Sequence, residues 1–299
     1  MRPRFAALAL ACITIAGCGD DDGRGEEPGR FDGERAFADL EAQVALGQRP
    51  AGSAASRETA ELIAARLREA GVREVEVQRP LRNVVGRIPG TRPGAVVIGA
   101  HHDTKDDVGA GFEGANDGAS GVAVVLELAR ALAPRVEGPS VHVALFDAEE
   151  ARGERPFAAD GARGSRQYVD YARLGGEQGS PPLRQIESMI LLDLVGDCSL
   201  QIPYEPNSNR ELYEYIALRA QKVDGDPAPF EGQTAAISDD HIPFAEAGIP
   251  AVDLIDFTFG PGPSPGEWWH SPEDTLDKVC PESLDAVGEA ALRVLPRGR

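Results

Sequence analysis

Three short apolar runs in this chain each stop abruptly at an acid or a histidine, and that pattern restricts the possible folds more than any other feature. Val97-Ile98-Gly99-Ala100 runs into His101-His102-Asp103. Val143-Ala144-Leu145-Phe146 runs into Asp147 and then Glu149-Glu150, and Met189-Ile190-Leu191-Leu192 into Asp193. Unbroken apolar runs of this length are what strands covered on both faces require. Helical spacing fills the intervals. Ser56 to Ala70 carries Leu62, Ile63 and Leu67 and ends at Gly71, and Gly118 to Ala133 carries Val122, Val125, Leu126, Ala129 and Leu132 on one side. Further helices are expected over Asn209–Gln221 and Glu282–Leu295. Val72 to Gln78 alternates apolar with charged residues, as a half-exposed strand at an edge does; Asn83–Ile88 and Pro250–Ile255 read as further strands. Strands alternating with helices predict an α/β fold: a three-layer sandwich with a central, mainly parallel (mixed) β-sheet flanked by helices.

In an open α/β sheet the C-terminal strand ends line the ligand crevice, so these runs deliver His101 and several carboxylates to one edge. Carboxylates gathered there repel each other and lose hydration, a difficulty that a divalent cation removes. Asp193, isolated between apolar flanks, needs a partner: a cation, a helix end or a buried cation-bearing side chain. Asp117, in Asn116-Asp117-Gly118-Ala119-Ser120-Gly121, is placed either to cap the following helix or to bridge two metals at the foot of the crevice. If strand geometry continues through Glu149-Glu150, the two side chains diverge, one to ligate and one to serve as general base; an exposed acid pair is the other reading. His270, in Trp268-Trp269-His270-Ser271-Pro272, is a ligand or a loop-packing residue, and His142, inside a strand, is structural.

The net charge of −19 excludes a nucleic-acid partner, because no basic face is available to neutralise phosphates. Arg2 and Arg4, the apolar stretch Phe5–Ala16 and the closing Ile15-Ala16-Gly17-Cys18 read as an export leader over residues 1–18, too brief to span a bilayer. Its ending resembles a bacterial lipobox. That resemblance implies lipidation of Cys18 and an exported protein held by its acyl anchor on the outer face of a bacterial membrane, in the cell envelope or periplasm. Residues 19–33, with Asp20-Asp21-Asp22 and Glu26-Glu27, read as a flexible acidic linker, leaving 34–299 as the catalytic domain. Within that domain Cys198 and Cys280 remain, either paired or as two free thiols.

The order His101-x-Asp103, Asn116-Asp117-Gly118, Glu149-Glu150, Asp193, His270 resembles metallopeptidase family 28, the zinc aminopeptidases, and its glutaminyl cyclase branch, from about Ala51 to Leu295. The resemblance implies a zinc enzyme, with one or two ions per chain, acting on the N-termini of peptides or proteins. By it, His101 and Asp193 hold one metal, Glu150 and His270 the other, and Asp117 bridges them. Glu149 is then the catalytic acid/base, and Asp103 orients His101.

Several stretches lean toward the cyclases. Leu191-Leu192-Asp193-Leu194-Val195-Gly196 is similar to the strand carrying an active-site acid, which adds a catalytic role for Asp193. Asp239-Asp240-His241-Ile242-Pro243-Phe244 is similar to a segment whose first acid, Asp239, joins a hydrogen-bond network at the substrate. Trp269 matches the tryptophan that walls the cyclase pocket, and Gly164-Ser165-Arg166 also fits. The wording Asn116–Gly121 is closer to the peptidases, and the loop before Trp269 is longer than the cyclase pattern. The expected activity is therefore glutaminyl-peptide cyclotransfer, with zinc aminopeptidase as the alternative and an inactive metal- or peptide-binding lipoprotein as a third.

Overall fold

The computed structural model describes residues 30–220 and 229–298. Cys18, the leader over 1–18, most of the acidic linker and the end of the helix expected to reach Gln221 lie outside the described residues. The fold starts earlier than the expected boundary at Glu34. Phe31 is buried, its backbone N–H donates to Glu289, and Asp32 caps the first helix by accepting from the Arg35 N–H. An aromatic side chain and an N-cap outweigh the linker-like composition around them.

In chain order the elements are α1 (Gly33–Val44), α2 (Ala54–Glu69), β1 (Arg73–Val77), β2 (Val84–Ile88), β3 (Ala95–His101), α3 (Ser120–Leu132) and β4 (Ser140–Phe146). There follow α4 (Phe157–Asp160), α5 (Arg163–Arg173), β5 (Ile186–Asp193), α6 (Arg210–Ala220), α7 (Ile242–Glu246), β6 (Ala251–Ile255) and α8 (Pro281–Leu292). Among the described residues the strands form one six-stranded sheet in the order β1-β2-β4-β3-β5-β6. β1–β2 and β2–β4 pair antiparallel; β4–β3, β3–β5 and β5–β6 pair parallel. The mixed sheet is as expected, and half-exposed β1 is its edge.

Side chains alternate across a strand, so an unbroken apolar run serves two cores. Ile98, Val143, Leu145, Ile190 and Leu192 face the core built with α1, α2, α3, α6 and α8. Val97, Ala144, Phe146, Met189 and Leu191 face the opposite one, closed by Tyr168, Val169 and Phe244 from α5 and α7. Three layers result.

The topology positions the site. β3 leads through α3 to β4 on one side, whereas β5 pairs on its other side, so the chain reverses direction across the sheet at β3/β5. At such a switch point the connections diverge and leave a crevice beyond the strand ends. The last residues of β3 and β5 are His101 and Asp193.

Cys198 and Cys280 are joined in a disulfide with Cα atoms 4.9 Å apart, beside the bridge between Asp197 and Val279. Of the two readings open for these cysteines, the pair is the one observed. The bond spans a sequence separation of 82 and ties the loop after β5 to the start of α8. Replacing both cysteines by serine is expected to lower unfolding free energy by on the order of 2–4 kcal/mol. Urea denaturation of the two proteins checks this, and an unchanged midpoint would show that the crosslink contributes nothing. No helix among the described residues is long and apolar enough to cross a membrane.

Candidate active site

The predicted donors converge beyond the ends of β3, β4 and β5. His101 Nε2 lies 3.2 Å from Asp193 Oδ1 and 3.3 Å from Asp117 Oδ1. His270 Nε2 lies 2.9 Å from Glu150 Oε1 and 3.3 Å from Asp117 Oδ2. Two donor groups therefore stand side by side, His101–Asp117–Asp193 and Asp117–Glu150–His270, and each oxygen of Asp117 faces one histidine. The helix following Asp117 begins with Ala119 at its N-cap, with no side-chain hydrogen bond there, so capping is not the task of Asp117.

The arrangement fits a metal. Donors about 2.0–2.1 Å from a tetrahedral ion lie about 3.3 Å from one another, the separation seen here between imidazole nitrogens and carboxylate oxygens. Asp117 Oδ2 is buried and receives no directed hydrogen bond, the condition of a lone pair aimed at a cation. Nitrogen and oxygen donors together suit zinc among the divalent ions.

The electrostatics point the same way. Burial disfavours charge on His101, yet the carboxylates of Asp103, Asp117 and Asp193 outweigh it and push the imidazole pKa well above its ordinary value. His270 is likewise carried up to about 10: burial opposes this, and Asp117 and Glu150 overcome it. Burial and then the charge of Asp117 raise Glu150 to about 7. Asp193 rises to about 6, mainly by burial. Asp117 goes the other way: burial raises it, but the two neighbouring imidazoles, His101 and His270, hold it below the usual carboxylate range. The carboxylates thus favour positive charge at the two histidines, the demand that a cation held among them would meet.

Glu149 is close to this centre and outside both donor groups. The expected continuation of strand geometry does not occur. β4 ends at Phe146, and Ala148 adopts φ 62°, turning the chain so that Glu149 and Glu150 diverge from a loop. Burial, and next the charge of Asp239, push the Glu149 pKa well above the ordinary range. Asp239 is buried beside Glu149, close enough for the two charges to repel, and one of its oxygens accepts from the Asp240 N–H.

The segment carrying Asp239 is held from behind. Glu205 accepts from the Ile237 N–H at 2.8 Å, Asn207 Nδ2 donates to the Ile237 carbonyl at 2.6 Å, and His241 Nε2 lies 3.4 Å from Glu205. Ser165 donates to Asp240. Trp269 stacks on the His270 ring with centroids 3.8 Å apart and packs against Phe257.

Asp103 orients His101 by a different atom from the one expected. Its backbone carbonyl lies 3.1 Å from His101 Nδ1, while its carboxylate is 3.8 Å away. The carboxylate instead accepts the N–H groups of Glu149 at 3.0 Å and Glu150 at 3.4 Å. Gly118 follows from this: at φ +90° it packs where a Cβ would collide with the Asp103 carbonyl and crowd the His101 ring. Leu194 and His270 also hold positive φ, 49° each, so non-glycine residues in a disfavoured backbone region adjoin or form the site, as Ala148 does.

Sequence reasoning missed Asp274 and Arg49. Asp274 is buried and accepts from the N–H groups of Asn116 and Asp117. Buried Arg49 donates to the carbonyls of Glu113 and Gly114. Both contacts are to backbone, which no side-chain pattern announces.

The profile of Peptidase family M28 matches residues 83–295. The chain is 30% identical over 205 residues to aminopeptidase YwaD of Bacillus subtilis, a match covering 66% of this chain and 39% of that protein. It is 28% identical over 244 residues to the glutaminyl-peptide cyclotransferase of Bos taurus, covering 70% of this chain and 64% of that one. Both relatives are longer than the region they share with this chain. Among solved structures, an Acidobacteriales bacterium glutaminyl cyclase superposes with a TM-score of 0.77 at 28% identity, covering 95% of this chain and 97% of the other.

Proposed function

This chain belongs to peptidase family M28, and we propose that it acts on peptide N-termini as a zinc-dependent glutaminyl-peptide cyclotransferase, closing an N-terminal glutamine to pyroglutamate with release of ammonia. The observation that carries this reading is the buried juxtaposition of two acids, Glu149 and Asp239, beside a donor histidine covered by Trp269. Hydrolysis needs one carboxylate to deprotonate water; a second buried acid beside it suits a transfer between two nitrogens of one substrate. The likeness to the Acidobacteriales cyclase over nearly all of both chains supports the same choice.

In this proposal Asp117, Glu150 and His270 hold one zinc, and His101, Asp117 and Asp193 can hold another. A bound zinc supplies Lewis acidity, polarising the side-chain amide of the glutamine, or in the peptidase reading the scissile carbonyl and a water. Glu149 takes a proton from the α-amine as its nitrogen bonds to the side-chain amide carbon. Glu149 then returns that proton to the departing nitrogen, which leaves as ammonia when the old carbon–nitrogen bond breaks. Asp239 steadies Glu149 and, with Asp193, orients the amine, while Trp269 walls the pocket against the glutamine stem. Because attack is intramolecular, holding the substrate in one conformation contributes most of the advantage.

The intact donor group His101–Asp117–Asp193 and the likeness to YwaD favour a second reading, a zinc aminopeptidase that removes N-terminal residues. A paired assay separates the two: ammonia release from a glutamine-led peptide against amine release from a leucine anilide. Asp239→Ala is expected to lower cyclisation by about 10²-fold or more while hydrolysis of the anilide changes little. Equal losses would remove Asp239 from a cyclase-specific role, and anilide hydrolysis without ammonia release would overturn the cyclase assignment. The proposal extends to location: export and lipidation at Cys18, supported by the Cys198–Cys280 bond, which an oxidising compartment sustains.

A further inference from the structure

Two acids outside the donor groups grip the loops that carry donors, and they grip them alike. The Asp103 carboxylate accepts the consecutive N–H groups of Glu149 and Glu150, at 3.0 and 3.4 Å. The Asp274 carboxylate accepts the consecutive N–H groups of Asn116 and Asp117, at 2.7 and 3.1 Å. In each pair the second N–H belongs to a donor, and each gripping acid closely follows a donor histidine, Asp103 after His101 and Asp274 after His270.

The braces cross. The segment beginning at His101 secures Glu150, which faces His270; the segment beginning at His270 secures Asp117, which faces both histidines. A carboxylate meeting two successive N–H groups fixes the intervening peptide in both position and tilt, whereas a single bond fixes one direction.

We propose that Asp274 is a positioning residue for the metal centre, holding the Asn116–Asp117 peptide so that the two oxygens of Asp117 face the two histidines. This rests on the reading of Asp117 as a bridging donor. Asp274 is built in for that task, being 0% exposed. Its own carbonyl accepts the Glu113 N–H at 3.3 Å, and the Glu113 carboxylate accepts the Leu276 N–H at 3.0 Å, so the two loops are laced on both sides of the grip. Arg49, also 0% exposed, anchors the same loop by donating to Glu113 and Gly114 at 2.9 and 2.7 Å. Ligands held by such outer contacts lose affinity when the contact is cut, even though no metal–ligand bond is touched.

The test measures zinc affinity by competition with a chelating dye, on metal-free protein whose folded state is verified by circular dichroism. Asp274→Asn replaces one accepting oxygen by a donor and is expected to weaken zinc binding by about 10- to 100-fold. Asp274→Glu, which retains the charge but displaces it by a methylene, falls between that variant and the unmodified chain. Glu127→Gln is the control for general destabilisation, because buried Glu127 on α3 accepts from Arg35 and Arg130 and lies outside both donor groups. It is expected to lower the melting temperature without changing zinc affinity. Asp274→Asn with unmodified affinity, or with a loss no greater than that of Glu127→Gln, overturns the positioning role. So does an Asp274→Asn chain that fails to fold, which would assign Asp274 to the fold alone. An unmodified chain that takes up no zinc overturns the metal reading itself, a result distinct from an indifferent Asp274→Asn.

Discussion

Glu149→Gln is expected to retain its zinc and to lose between about 10²- and 10⁴-fold in turnover, the range by which a positioned proton-transfer group accelerates a reaction. The metal survives because Glu149 belongs to neither donor group, and because Asp103 holds its backbone N–H, which the substitution leaves in place. Turnover falls because an amide of the same shape cannot accept and return a proton. Glu149 is suited to that exchange by its surroundings: burial and the nearby Asp239 favour its protonated form and raise its pKa well above that of a free carboxyl. Metal analysis alongside kcat checks the result. Turnover within about tenfold of the unmodified enzyme would dismiss Glu149 as the proton carrier.

Asp117→Ala is expected to empty both metal positions, whereas His270→Ala disturbs only the one it shares with Glu150. The difference follows from the geometry, in which Asp117 Oδ1 faces His101 and Asp117 Oδ2 faces His270, each at 3.3 Å. Removing the shared carboxylate deprives both groups of a donor and leaves buried His101 and half-buried His270 with one fewer negative neighbour apiece. Activity should drop below detection in Asp117→Ala, and zinc per chain should fall further than in His270→Ala. If Asp117→Ala bound as much zinc as the unmodified chain, the paired centre would be ruled out.

Much of this arrangement was legible in the sequence because burial writes itself into composition. The runs ending at His101 and Asp193 had to be central strands, and polar residues at their ends had to meet where parallel strands end together. The Cys198–Cys280 pairing was not legible, because it depends on a loop and a helix start meeting in space. Helix α5 was missed for another reason. Its buried positions, Gly164, Ser165, Tyr168, Val169 and Ala172, are largely small or polar, so the apolar stripe that signals a helix is faint. Asp103 was expected to act through its carboxylate, but its carbonyl reaches His101 while the carboxylate serves two N–H groups on another loop. Asp274 is one acid among 49, and nothing in its neighbours distinguishes a buried backbone clamp from a solvated charge.

The donors come from two strand ends and three loops, with His101 and His270 brought together only by the completed sheet and its surrounding chain. An unfolded polypeptide holds no miniature of this arrangement, so an ion that binds here recognises only the native conformation and stabilises it in proportion to the logarithm of its free concentration. Metal supply then becomes a determinant of how long the protein persists as well as how fast it works. Chelation should hasten proteolysis before any covalent damage occurs.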